Sequence, residues 1–138
     1  MPDRQDIIDV AVDYTWALDS RQLERLREVF TPDATAVLRG VECAGVDAII
    51  ERIGGAILRL DATQHLVGNH QVRVDGDTAT HRCQLHSQHV KAGTPGGELY
   101  VVGGYYDDRL ARGPHGWRIV HRVMQQTWVE GNPAVIAR

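Results

Sequence analysis

"TQHLVGNHQVRVDGDTATHRCQLHSQHV" runs from Thr63 to Val90. Its centre is Asp75-Gly76, flanked on both sides by alternating apolar and polar residues. That pattern predicts two antiparallel strands joined by a tight turn. A two-residue Asp75-Gly76 turn pairs Val74 with Asp77. Extended backwards, this register sets Val72 opposite Ala79, His70 opposite His81 and His65 opposite His86. Side chains alternate between faces, so Val72, Val74, Ala79, Cys83 and Leu85 form the apolar face. A regular strand then leaves His65 on the polar face with Gln71, Arg73, Thr80 and Arg82. One extra residue near Gly68 turns His65 to the apolar side, beside Leu85 and Ser87. The expectation is a bulge there.

The rest of the chain has the same grammar. "ELYVVGGYYDDRLAR" and "WRIVHRVMQQTWV" read as two more long strands, joined by the turn "GPHG". The paired glycines of "GGYYDD" permit a bend in a long strand and lack the setting of a phosphate loop. Before the hairpin the period is helical. "DRQDIIDVAVDYTWALDS" places Ile7, Ile8, Ala11, Tyr14, Thr15 and Leu18 on one stripe. "SRQLERLREVF" predicts a second helix stopped by "TPDA", and "VDAIIERIGGAIL" a third. "TAVLRG" and "VECAG" predict short strands between them. The whole reads as α+β, a single domain over residues 1–138 with three helices ahead of an antiparallel meander. A curved sheet around helices encloses a pocket suited to small apolar molecules.

Composition narrows the function. Apolar residues are 43% of 138, the net charge is −3 and the pI about 6.1. No Lys/Arg cluster suggests nucleic acid. No apolar run reaches the roughly 18 residues of a membrane span, and the charged N-terminus is unlike a signal peptide. Cys43 and Cys83 lack metal or redox spacing and read as reduced thiols of a cytoplasmic protein.

These motifs resemble one family. "YTWALDSRQLERLREVFTPDA", "QHLVGN", "VRVDGDTA", "GGYYDD" and "GWRIVHR" are similar to the SnoaL-like, scytalone dehydratase-like branch of the NTF2-like superfamily. The resemblance spans nearly the whole chain. It implies a cone of three N-terminal helices packed in a curved, mostly antiparallel sheet. It also implies a His-Asp dyad, which falls on His65 and Asp19. A tyrosine of the bile-acid dehydratase falls on Tyr14, and an arginine of the hexachlorocyclohexane dehydrochlorinase falls on Arg122. Where Tyr14 stands, that dehydrochlorinase has a lysine, a departure that touches leaving-group chemistry.

The residues themselves allow bland alternatives. Asp19 in "DSRQ" can cap a second helix, with Gln22 closing a capping box. Yet it also ends the first helix, where the macrodipole disfavours a carboxylate. Tyr14 suits core packing, and its hydroxyl can also polarise a substrate oxygen. Arg122 alternates with Val120 and Met124, so it wants either a carboxylate or a polar ligand atom. His81, His86 and His89 carry metal-binding potential, but His86 and His89 face opposite ways and no carboxylate completes a set.

The resulting expectation is a cofactor-independent, metal-free lyase or isomerase acting on a small, largely apolar ring compound. His65 moves the proton and Asp19 orients it. Tyr14, Arg122 and Ser87 hold the substrate. The alternative is a non-catalytic ligand binder or accessory subunit, in which His65 and Asp19 do not touch. A hydrolase of the epoxide type would need several convergent Asp and Arg residues. The outer face of the long strands is expected to be covered in a homodimer or homotrimer.

Overall fold

In the computed structural model, which describes residues 2–137, the hairpin is the spine of a six-stranded sheet. Helix α1 spans Pro2–Asp19. A 3₁₀ turn, Leu23–Arg25, leads into a single helical turn, α2, over Leu26–Val29. Strands β1 (Phe30–Leu38) and β2 (Val41–Ala44) follow, then α3 (Val46–Ile57). Strands β3 (Ala62–Asp75), β4 (Thr78–Val90), β5 (Leu99–Gly113) and β6 (Gly116–Gly131) make the meander. A 3₁₀ turn, Pro133–Val135, comes after them.

The strand order is β2-β1-β6-β5-β4-β3. Every pairing is antiparallel except β1 with β6, which is parallel. The sheet is therefore mixed. The helices are not grouped at the N-terminus, because α3 follows two strands. The second helix is also much shorter than its apolar spacing predicts. Phe30 already belongs to β1, which runs through "TPDA" rather than starting after it.

Helix α1 buries Ile7, Val10, Ala11, Tyr14 and Leu18 and packs over β3. Helix α3 buries Ile49, Ile53 and Ile57 and packs over β1 and β2. Each stripe follows the three- and four-residue spacing of a helix with one face in the core. On β4 the inner residues alternate without a break: Ala79, His81, Cys83, Leu85, Ser87 and His89 are all buried.

The hairpin turn sits one residue later than Asp75-Gly76. Asp75 pairs with Thr78, so Gly76 and Asp77 form the turn, with Gly76 at φ +60°. A glycine at the first central position suits a Gly-X hairpin turn. The shift moves each cross-strand partner by two residues and leaves the face of every side chain unchanged. Val74 lies opposite Ala79, and Val72 opposite His81.

The bulge lies beside Gly68. Gly68 pairs with Gln84 and Gln71 with Arg82, so Asn69 and His70 oppose Cys83 alone. Asn69 takes a left-handed conformation, φ 53°, which asparagine tolerates better than most residues. Its side-chain amide also donates to the side-chain Oε1 of Gln84. Across the bulge the inner positions switch from His70 and Val72 to Val67, His65 and Thr63. His65 consequently pairs with Ser87. Without the extra residue, the hairpin register would set it opposite Gln88.

The Gly103-Gly104 pair marks a second irregularity, between β5 and β6. A Cβ on Gly103 would stand 1.9 Å from the Trp128 ring, and one on Gly104 would stand 2.0 Å from the Gln125 carbonyl oxygen. Both positions demand glycine for close approach rather than for ligand binding.

Candidate active site

Asp19 ends α1 and points at the start of β3. Its Oδ1 lies 2.7 Å from His65 Nδ1, and its Oδ2 accepts the His65 backbone N–H at 2.7 Å. Thr63 Oγ1 donates to Oδ1 at 2.9 Å. The carboxylate is thus committed to β3 and not to the next helical segment. That segment is preceded by Gln22 and has no side-chain cap, so the capping box does not form.

Thr63 and Arg21 were not singled out by sequence reasoning. Thr63 sits two residues before His65, hence on the same face of the strand; that spacing was a usable signal. Arg21 donates to Thr63 Oγ1 at 2.8 Å and to the Leu18 carbonyl at 3.1 Å. It also donates to the Leu60 carbonyl at 3.3 Å. Its left-handed φ of 62° follows the end of α1. The chain Arg21–Thr63–Asp19–His65 is therefore one hydrogen-bonded unit joining a helix end to a strand end.

Burial alone would raise the Asp19 carboxyl. The hydrogen bonds from the His65 ring and backbone, the charge of His65 and the Thr63 hydroxyl outweigh it and hold the group below its ordinary value. An ionised Asp19 accepts a hydrogen bond from Nδ1–H, which leaves Nε2 as the basic atom of the neutral ring.

The His65 ring lines a cavity of about 70 Å³. At 10–15 Å³ per water position this is room for about five waters, the scale of a small organic molecule. Leu18, Ile53, Ile57, Leu85, Val102 and Met124 make its apolar walls, and Ser87, directly across from His65, also lines it. Tyr14 lines it as well, packed edge-on against Tyr106 at 5.5 Å and Phe30 at 6.1 Å between ring centroids. Burial raises the Tyr14 phenol, so its hydroxyl stays protonated at neutral pH. No carboxylate is among the described residues that line the cavity.

His89 and Tyr106 are further wall residues that sequence reasoning did not place there. The His89 ring lies 6.0 Å from that of His65. Burial, then the nearby His65 charge, pushes it down to about 4. At neutral pH it is an uncharged imidazole beside the candidate base.

Arg122 lies behind this wall. It is wholly buried and forms a two-pronged pair with Asp108, Nε–Oδ1 at 2.7 Å and Nη2–Oδ2 at 2.8 Å. Tyr106 and Tyr14 cover the guanidinium at 3.9 and 4.4 Å from their centroids. Arg122 is not among the cavity-lining residues, although its Nη1 is buried with no partner among the described residues. Asp108 also accepts from His81 Nδ1 at 3.1 Å, and His81 Nε2 is 2.9 Å from His70 Nδ1. His70, His81 and Cys83 offer ligand atoms within 4.8 Å of one another. That grouping differs from His81, His86 and His89, the set weighed and argued against from the sequence.

Residues 1–123 match the model of the SnoaL-like domain family. The chain belongs to that family. An uncharacterized protein of Mycobacterium tuberculosis strain H37Rv is 38% identical over 125 residues, 88% of this chain and 83% of that protein. The terrestric acid biosynthesis cluster protein E of Penicillium crustosum is 30% identical, over 100% of this chain and 92% of its own. Among solved structures, the Kfla4162 protein of Kribbella flavida has a TM-score of 0.90 at 23% identity, covering 99% of this chain and 98% of its own. A hexachlorocyclohexane dehydrochlorinase of type 2 shares the fold at a TM-score of 0.82 and 17% identity, over 94% and 88% of the two chains. The described residues of this SnoaL-like chain form the α+β NTF2-like fold, with three helices and a six-stranded mixed sheet. None of its described helices is long and apolar enough to cross a membrane.

Proposed function

We propose that this SnoaL-like chain is a cofactor-independent lyase of the dehydratase type, or an isomerase, acting as one domain on a small, largely apolar ring compound. The single observation behind this reading is the 2.7 Å contact between Asp19 Oδ1 and His65 Nδ1 at the cavity wall. His65 Nε2 takes a proton from a carbon next to the one bearing the leaving hydroxyl. Asp19 stabilises the imidazolium that results. In a dehydration the C–O bond then breaks, a carbon–carbon double bond forms, and His65 returns its proton to the departing hydroxide as water. In an isomerisation the same proton returns to a different carbon of the substrate.

Ser87 faces His65 and supplies a substrate hydrogen bond. Tyr14 supplies a neutral phenol donor to the substrate oxygen or leaving group. Arg122 acts through the Tyr14 and Tyr106 rings that cover it rather than as a direct ligand. The similarity to a dehydrochlorinase, also an elimination enzyme by name, fits this reading. The ligand-binder alternative expects His65 and Asp19 to stand apart, which their contact does not favour.

The working unit we infer is a homo-oligomer, dimer or trimer. Leu66, His86, Gly103 and Trp128 form one cross-strand row, with Leu66 and Trp128 exposed on the outer face. The test of function is a panel of hydroxylated ring compounds assayed with wild type and His65→Ala. Loss of turnover in the variant is expected; equal turnover removes His65 as the base.

A further inference from the structure

The mouth of the cavity carries a feature that proton transfer does not use. Arg39, Arg52 and Arg59 line one depression with Gly55, Ala56 and Ile136. Arg39, Arg52, Ala56 and Ile136 also line the main cavity, so the depression opens onto its rim. The three arginines arrive from separate places: the β1–β2 turn, the middle of α3 and the segment after α3.

Two of the three, Arg52 and Arg59, hold only backbone carbonyls among the described residues. Arg27, Arg82, Arg112 and Arg122 each hold a carboxylate. Arg52 and Arg59 hold none among the described residues. Arg52 Nε donates to the Leu38 carbonyl at 3.3 Å, and its Nη2 to the Arg39 carbonyl at 3.5 Å. Arg59 Nη2 donates to the Ile136 carbonyl at 2.7 Å, while its Nε is buried without a partner. Arg39 Nη2 in turn donates to the Arg52 carbonyl at 3.3 Å. The carbonyls position the Arg52 and Arg59 guanidinium groups but do not neutralise them. Like charges gathered beside an apolar cavity with no acid in its lining raise the local potential. Arg39 also occupies a left-handed turn position, φ 51°, where glycine or asparagine is ordinarily favoured. A costly backbone position that places a cation at a cavity mouth suggests a role for that cation.

We propose that the natural ligand is a ring carboxylate, its charge docked on Arg52 and Arg59 with Arg39 alongside and its ring inside the cavity toward His65. The proposal rests on the lyase-or-isomerase reading for the site and names its substrate class. A planar carboxylate suits the guanidinium fork, which can bind it in a two-pronged manner. The rim then sets which end of the molecule enters, so that the carbon to be deprotonated faces His65.

The test compares benzoate with benzamide, two probes of one shape that differ in charge. Calorimetric titration of wild type should show benzoate bound about tenfold or more tightly than benzamide at low salt. The preference should shrink as ionic strength rises. Arg52→Gln and, separately, Arg59→Gln should each weaken benzoate about tenfold and leave benzamide unmoved. Equal binding of the two probes by wild type, or no binding of either, overturns the proposal. So does a benzoate preference that survives both variants. The outcomes separate from those of the catalytic reading. A failed benzoate preference with His65-dependent turnover means a neutral substrate for the same chemistry. A retained preference with His65-independent turnover means an anion-binding pocket with different chemistry.

Discussion

Asp19 grips His65 at two points, its Oδ1 at the ring Nδ1 and its Oδ2 at the backbone N–H, each at 2.7 Å. The second contact fixes the strand to the end of α1, and the first fixes the ring on that strand. Asp19→Asn keeps the size of the side chain but can offer an amide N–H to Nδ1. The ring then flips tautomer and loses Nε2 as its basic atom. Turnover is expected to fall about 10²- to 10⁴-fold, with weaker change in substrate binding. Steady-state kinetics of the variant across pH checks this. An unchanged kcat would remove Asp19 from the mechanism.

The same carboxylate bears on stability. The folded Asp19 group titrates below its ordinary value of 3.8, and so does Asp108 through its pair with Arg122. Groups lowered on folding stabilise the protein above their unfolded value, and that contribution is lost as pH falls through the folded value. His89, pushed down to about 4 from 6.5, also makes the unfolded chain the better proton binder. Its contribution is complete above 6.5 and fades as pH drops from there toward 4. Urea unfolding at pH 7, 5.5 and 4.5 should show wild type losing stability faster than His89→Gln. Parallel pH dependence in the two proteins would contradict a depressed His89.

The face of His65 and its need for a bulge were legible in the hairpin, while its pairing with Asp19 was implied only by the family resemblance. The alternation of "QVRVDGDTATHRCQLH" assigns the faces even though the turn lies one residue further along than its Asp-Gly dipeptide suggests. A two-residue shift of partners preserves parity, so the requirement for a bulge survives the error. Other features depend on contacts no local pattern encodes. The second helix shrinks because Phe30 is recruited into β1, whose parallel partner β6 lies about ninety residues away. Arg122 had two open readings, and the choice between them depended on Asp108 lying opposite it across the β5–β6 ladder.

That bulge yields a mutational test. Asn69 holds φ 53°, which a β-branched residue adopts only with strain. Asn69→Val should destabilise by about 1–2 kcal/mol, while Asn69→Gly should stay near wild type apart from the lost amide contact to Gln84. Denaturant unfolding measures both. Equal stability of the valine and glycine variants would mean that the left-handed position does not constrain the strand.

The Arg122–Asp108 pair offers the largest expected effect. Both side chains are wholly buried, and the Tyr14 and Tyr106 rings cover the guanidinium. Two-pronged hydrogen bonding offsets the desolvation of the charges, and burying either one alone would leave it uncompensated. Asp108→Leu or Arg122→Met alone should cost about 3–5 kcal/mol. The double variant should cost less than the sum of the two, because no buried charge is left from the pair, although His81 loses its Asp108 acceptor. A four-protein thermal and urea comparison measures the coupling. If Arg122→Met instead folds with wild-type stability and loses ligand affinity alone, the guanidinium serves the cavity and the pair with Asp108 is incidental.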